Sequence, residues 1–257
     1  MPCGWSFPEP ERAAVKSQVK ALLRTVRPSR RPPIVVASMG RSGSTLVYDA
    51  LRSAVGDERF GWLGHDRARA TVTAMAFGPA TTRFENGVVY KTHALPAEFD
   101  DVAGSALAEA RFVFVFGPPS DAVISFLTLG ERYSARWVRA HLHNLRATDD
   151  ASEILDRDVL GLQRQLECWA RVTHREVLCL EYDALWDEQS TLSDFLDLEI
   201  ELPPRRDRLS TDLVAADQVA LARRRYARGD AAVAALPGAF RAGTVSITSS
   251  DAWISEV

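Results

Sequence analysis

Two groups of polar residues follow β-branched runs in this chain, and their types suit anion binding and proton transfer. The first is Gly40-Arg41-Ser42-Gly43-Ser44-Thr45, which follows Ile34-Val35-Val36-Ala37-Ser38 after the single residue Met39. A strand, a tight turn and a helix start aim several backbone N–H groups and the positive end of a helix dipole at one point. Glycine lets the main chain approach an anion, Ser44 and Thr45 add hydroxyl donors, and Arg41 adds a permanent charge. Such a cradle holds a phosphate or a phosphosulfate. The second group is Lys91-Thr92-His93, after Val88-Val89-Tyr90. Residues two apart share one side of an extended chain, so a cation and an imidazole face the same way. Neutral imidazole, with an ordinary pKa near 6.5, accepts a hydroxyl proton at neutral pH.

Each group also has an ordinary reading, as a Gly/Ser turn and as a hydrogen-bonded strand-end histidine. The turn differs from the Walker pattern G-x-x-x-x-G-K-[ST]. Aligned on Gly43, Ser38 replaces its first glycine and Ser44 its lysine, while the cation sits earlier at Arg41.

The elements that must carry these groups are legible as alternating strands and helices. Helical spacing of Ala14, Val15, Val19, Leu22, Leu23 and Val26 predicts an amphipathic helix over 11–26, stopped by Pro28, Pro32 and Pro33. Leu46, Val47, Ala50, Leu51 and Ala54 give the helix after the cradle an apolar face. Residues 56–87 read as irregular. Strands are expected at 88–91, at Arg111–Phe116 (apolar on both faces, as a buried parallel strand is) and at 177–182. Helices are expected from Ser120 or Asp121, over 131–147 and 159–174, and from 183 to about Leu198. This pattern implies one α/β domain with a central, mostly parallel sheet flanked by helices. Residues 1–30 would be a leading helix and linker, 34–200 the core, and 201–257 a helical or irregular segment closing the site. Ligands in such sheets sit beyond the carboxyl ends of the strands. The cradle, Lys91–His93 and Gly117–Ser125 all start there.

Composition sets outer bounds. The 257 residues are 46% hydrophobic and 25% charged, ordinary globular proportions. A formal charge of −3 argues against a strongly basic nucleic-acid binder. Cys3, Cys168 and Cys179 lack metal-ligand spacing and read as reduced thiols. No signal-like start and no run of membrane-spanning length is seen, so a cytoplasmic protein is expected.

Taken in order, Gly40-Arg41-Ser42-Gly43-Ser44-Thr45-Leu46, Lys91-Thr92-His93-Ala94-Leu95-Pro96 and Asp121-Ala122-Val123-Ile124-Ser125-Phe126 resemble the signatures of sulfotransferases that use 3′-phosphoadenosine 5′-phosphosulfate (PAPS). Leu180-Glu181-Tyr182-Asp183 is similar to the family's adenine-contacting segment, and Phe240-Arg241-Ala242-Gly243-Thr244 to its C-terminal 3′-phosphate element. The likeness spans about residues 34–245. It implies a P-loop-like fold and transfer of a sulfuryl group from PAPS to a hydroxyl, releasing 3′-phosphoadenosine 5′-phosphate (PAP) without a metal. On that resemblance Arg41 and the Gly40–Thr45 turn hold the phosphosulfate, Lys91 sits at the transferred group, and His93 is the base. Tyr182 contacts adenine, and Ser125 binds the 3′-phosphate with Arg241 as helper.

One departure is plain. Eight residues before Ser125 the family carries an arginine, and this chain has Gly117. A lost charge-assisted contact is worth roughly 1.5–3 kcal/mol. Arg111, Arg132, Arg241 or the Arg223–Arg225 run, by default a solvated helix face, are the candidate replacements. Glu58 or Asp66 are alternative bases, with Trp62 and His65 near the expected acceptor path. His141 and His143 are expected to face water, and Trp137 and Trp169 to pack. The alternatives to a sulfotransferase are a P-loop kinase or phosphotransferase, and a degenerate relative that binds nucleotide without turnover. The acceptor is expected to be a small metabolite, lipid or modest glycan. Oligomeric state stays open, a homodimer included.

Overall fold

The computed structural model describes residues 9–102, 105–129, 133–147, 151–205, 213–247 and 253–254, with side chains described for these except 9–17 and 105. Among the described residues, six strands form one sheet: β1 (Ile34–Ser38), β2 (Thr73–Met75), β3 (Val89–Lys91), β4 (Arg111–Phe116), β5 (Glu176–Glu181) and β6 (Ala239–Arg241), in the order β2-β3-β1-β4-β5-β6. All neighbours pair in parallel except β5 and β6, which are antiparallel. Helices flank the sheet: α1 (Glu9–Val26), α2 (Ser44–Phe60), α3 (His65–Thr71), α4 (Ser105–Ala108), α5 (Pro119–Leu127), α6 (Ala135–Asn144), α7 (Leu162–Ala170), α8 (Gln189–Leu196), α9 (Ala216–Arg225) and α10 (Ala227–Ala234).

Strand side chains alternate between two cores. Val35, Ala37, Phe112, Phe114, Phe116, Val177 and Cys179 face one core, where Trp169 of α7 stacks on Phe114 with centroids 5.6 Å apart. Ile34, Val36, Val113, Val115, Leu178 and Leu180 face the other, against Val47 and Leu51 of α2 and Leu192 and Phe195 of α8. Period-two alternation with apolar residues on both faces is what a sheet covered by helices on each side requires. Cys179 is buried, Cys168 is half-buried and both are free thiols, while Cys3 lies outside the described residues.

Three expectations need correction. The stretch 56–87 is not irregular throughout: it contains α3 and the edge strand β2. A strand of three residues is too short to display a period, and pairing with β3 supplies what its sequence lacks. β6 likewise lies in a C-terminal segment that carries no strand pattern. Thirdly, α1 does not bury one whole apolar face. Leu23 packs on the core, whereas Val19, Leu22 and Val26 are exposed. The helix is held instead by Arg24, whose Nε donates to the Thr71 carbonyl at 2.7 Å. Helix ends also shift. α7 starts at 162 because Asp158 accepts from the Leu162 and Gln163 amides at 2.9 Å each. α6 starts at 135 behind Ser134, whose Oγ accepts from the Trp137 amide; residues 131–132 of the expected helix, Arg132 included, lie outside the described residues. Among the described residues no helix is long and apolar enough to cross a membrane.

Candidate active site

The strand order places a reversal at β1. Chain leaving β1 builds β2 and β3 on one side, and β4 and β5 then follow on the other. In open sheets the crevice at such a reversal, beyond the carboxyl ends, is where ligands bind. Residues 39–43 follow β1, residues 92–95 follow β3 and residues 117–118 follow β4, so all three converge on that crevice.

The turn after β1 is tightly constrained. Arg41 has φ 64° and Gly43 has φ 84°, both in the left-handed region. For arginine that conformation costs about 1–2 kcal/mol, strain of a kind that clusters at functional sites. At Gly43 any Cβ would land 2.1 Å from Cδ2 and Cε2 of Tyr182, whose ring lies over the turn. At Gly40 a Cβ would meet Leu145 Cδ2 at 2.7 Å. Ser42 turns inward, its Oγ donating to the Val115 carbonyl at 2.7 Å, which ties the turn to β4. Gly43 caps α2 without a side-chain hydrogen bond, and the first turn of α2 has no acidic residue. The positive end of this helix therefore meets no carboxylate of its own. Ser44 is buried and Thr45 exposed.

Cations and imidazoles gather beside the turn. Arg41 donates through Nε and Nη2 to Ser125 Oγ on α5, at 3.2 and 2.9 Å. Lys91 Nζ donates to Thr45 Oγ1 at 2.5 Å and lies 6.0 Å from the centre of the Tyr48 ring. Burial, and then the charges of Arg41 and Arg52, lower the Lys91 ammonium to a pKa of about 8, with Asp49 opposing. His93 is only 7% exposed, with Nδ1 3.1 Å from Ser38 Oγ. Burial, then His141, Lys91 and Arg41, push its pKa down to about 3. The imidazole is thus neutral across the physiological range.

His141 is a residue that sequence reasoning missed. It does not face water: its ring meets that of His93 edge-on at 5.4 Å, and its Nε2 is buried without a hydrogen-bond partner among the described residues. Burial, then Arg41 and Lys91, lower its pKa to about 4. Its outer face stacks on Trp137 at 5.0 Å, and Trp137 stacks on Tyr133 at 4.2 Å. The end of α6 is fastened over the site. Leu145 covers Gly40, and Arg146 donates to the Phe77 carbonyl at 2.9 Å and pairs with Glu98 at 2.6 Å. The available signal was the i, i+4 spacing of Trp137, His141 and Leu145, which shares one helix face. His143 is exposed, as expected.

Other candidates lie elsewhere. Arg241 sits on β6 opposite Leu178, bonded to Glu176 at 2.9 Å and stacked over Phe195 at 4.1 Å. Glu176 opens β5, so this arginine is at the amino end of the sheet, away from the crevice. Arg111 opens β4 at that same end and bonds to the Phe195 carbonyl. Glu58 pairs with Arg31, and His65 with Asp57, around a cavity of about 870 Å³ along α2 that neither Lys91 nor His93 lines. Asp66 lies in the first turn of α3, and Trp62 is exposed just before that helix. Trp169 packs in the core as expected.

The start of α5, next to Gly117, is occupied by the protein itself. Asp230 of α10 accepts from the Ser120 amide at 3.0 Å and from Ser120 Oγ at 2.6 Å. Arg223 of α9 donates to Ser120 Oγ at 2.6 Å and pairs with Asp121. Arg223 stays exposed, as a residue of the expected solvated face, while also bonding Ser120 and Asp121. Arg225 pairs with Asp156 at 3.0 Å. No family model matches this sequence, and no curated protein matches it.

Proposed function

We propose that the chain is a sulfotransferase of P-loop-like architecture that moves the sulfuryl group of PAPS to a hydroxyl. The observation that carries this reading is the gathering of the strained turn, Arg41, Lys91 and His93 at one crevice, with Lys91 bonded to Thr45 at 2.5 Å. In this reading the turn amides, Arg41 and Lys91 bind the phosphosulfate, and Tyr182 lies where the adenine can pack. With Nδ1 of His93 held at Ser38, Nε2 is the nitrogen that takes the acceptor's proton. The acceptor oxygen bonds to sulfur as the sulfur–phosphate oxygen bond breaks, and the electron pair leaves on PAP. Positioning and fixed positive charge supply most of the acceleration, as in phosphoryl transfer. An anion in the turn also offsets the repulsion that Lys91 and Arg41 exert on a protonated His93.

Arg223, bonded to Ser120 at the start of α5 just after Gly117, is with Ser125 the candidate for the 3′-phosphate. Its ion pair with Asp121 and the Asp230 carboxylate beside it favour a second reading: a relative that binds nucleotide without turnover. Incubation with PAPS and a panel of hydroxyl acceptors, read by mass spectrometry for a product heavier by about 80 Da, tests the first reading. His93→Ala lowers turnover by roughly 10²–10⁴-fold if His93 is the base. PAP binding by calorimetry without any transfer supports the second reading. The absence of both PAP binding and transfer refutes both.

A further inference from the structure

The segment after α8, Asp197-Leu198-Glu199-Ile200-Glu201-Leu202, has the alternation of a strand and no strand to pair with. Leu198, Ile200 and Leu202 are buried in the core that Val47 and Leu51 of α2 also enter, whereas Asp197, Glu199 and Glu201 are exposed. Period two is the spacing of an extended chain. Side chains pin this one at both ends. Arg31 donates to the Leu196 and Asp197 carbonyls at 2.8 and 2.9 Å. Gln189 accepts from the Leu202 amide at 3.0 Å, and Trp186 donates to the Pro203 carbonyl at 2.8 Å. Between the pins, the backbone groups of Glu199, Ile200 and Glu201 have no hydrogen-bond partner among the described residues. A chain held extended with unpaired backbone groups is a template for a further strand.

The same segment walls the cavity of about 870 Å³ along α2. Leu46, Ala50 and Ala54, four residues apart on one face of that helix, line it together with Leu198 and Leu202. From Leu46 to Glu58 the helix contributes about 18 Å of groove, at about 1.5 Å per residue. An extended chain covers that length with about five or six residues. The two walls differ in charge. On α2, Glu58 pairs with Arg31 at 2.9 Å, Asp57 with His65 at 3.0 Å and Asp49 with Arg52 at 2.8 Å. Asp197, Glu199 and Glu201, on the other wall, have no ion pair among the described residues.

We propose that this groove docks an extended, basic peptide segment of a partner protein. The segment pairs its backbone with residues 199–201 and sets alternate Lys or Arg side chains beside Asp197, Glu199 and Glu201. Its intervening apolar side chains turn towards Leu46, Ala50 and Leu202. Neighbouring strands place side chains of one face side by side, so acidic and basic residues meet on the outer face and apolar ones on the inner. A polyamine matches the charge but offers no carbonyl to the Glu199–Glu201 amides. The pinned ends lower the ordering cost of docking.

The probe is the end-blocked hexapeptide Lys-Val-Lys-Val-Lys-Val, titrated into the full chain by calorimetry, with spermine and the scrambled Lys-Lys-Lys-Val-Val-Val as controls. The alternating peptide is expected to bind, at least tenfold more tightly than either control, and more weakly at high salt. Glu199→Gln combined with Glu201→Gln is expected to weaken it roughly tenfold, with folding checked by circular dichroism. Amide hydrogen exchange at residues 199–201 of the unaltered chain is expected to slow at least tenfold when the peptide is bound. That measurement decides the matter even if the double variant fails to fold. No binding at millimolar peptide, or binding that a folded double variant leaves unchanged, overturns the proposal. Equal affinity for spermine or the scrambled peptide, or exchange at 199–201 that the peptide does not slow, overturns it as well.

Discussion

Lowering the pH should destabilise this protein through His93, by an amount that follows from its surroundings. In the unfolded chain the imidazole titrates near 6.5, whereas in the fold burial, His141, Lys91 and Arg41 push it down to about 3. Between those values the unfolded state holds a proton that the native state does not. The unfolding free energy therefore rises with pH across this window, and stability is lost as pH falls from about 6.5. One proton corresponds to about 1.4 kcal/mol per pH unit, so His93 removes about 2 kcal/mol between roughly pH 6.5 and 4.5. That interval lies well above the folded pKa, so the figure does not depend on its lower limit. His141 acts in the same direction, by less because it is only half-buried. Asp158 opposes, because burial raises its carboxyl pKa. Comparing the wild type with His93→Asn isolates the single group, since the amide can keep a bond to Ser38. Urea midpoints taken in steps from pH 6.5 to 4.5 should show a loss smaller by about 2 kcal/mol in the variant. Parallel curves would refute a buried, neutral His93.

Further outcomes follow from the turn and its surroundings. Gly43→Ala forces a left-handed alanine, at about 1–2 kcal/mol, and drives its Cβ into the Tyr182 ring; thermal melts should fall and PAP binding should be lost. Ser42→Ala removes a buried donor to the Val115 carbonyl, which keeps its bond from the Met39 amide, so the cost is about 0.5–1.5 kcal/mol, measurable by urea unfolding. Arg41→Ala should weaken PAP binding at least tenfold in calorimetry, whereas Arg241→Ala, at the far end of the sheet, should leave it unchanged. Loss of PAP binding in Arg241→Ala would mean that the C-terminal element reaches the crevice.

Short-range pattern determined the parts of this protein whose physics is local. The period-two apolar runs of β1, β4 and β5 and the turn at residues 39–43 needed only neighbouring residues to declare themselves. Lys91 and His93 could be set on one side of a strand end for the same reason. What tertiary structure alone decided depends on contacts between residues far apart in the chain. Thr73–Met75 is a strand because β3 pairs with it, and Ala239–Arg241 because β5 does. The antiparallel direction of β6 carries Arg241 to the amino end of the sheet, which a motif match cannot reveal because it records order and not direction. His141 became a neighbour of His93 only when Leu145 settled on Gly40 and Arg146 reached Phe77 and Glu98. Local sequence encodes periodicity and backbone preference. Which side chain meets which across the crevice is fixed by packing summed over the whole fold.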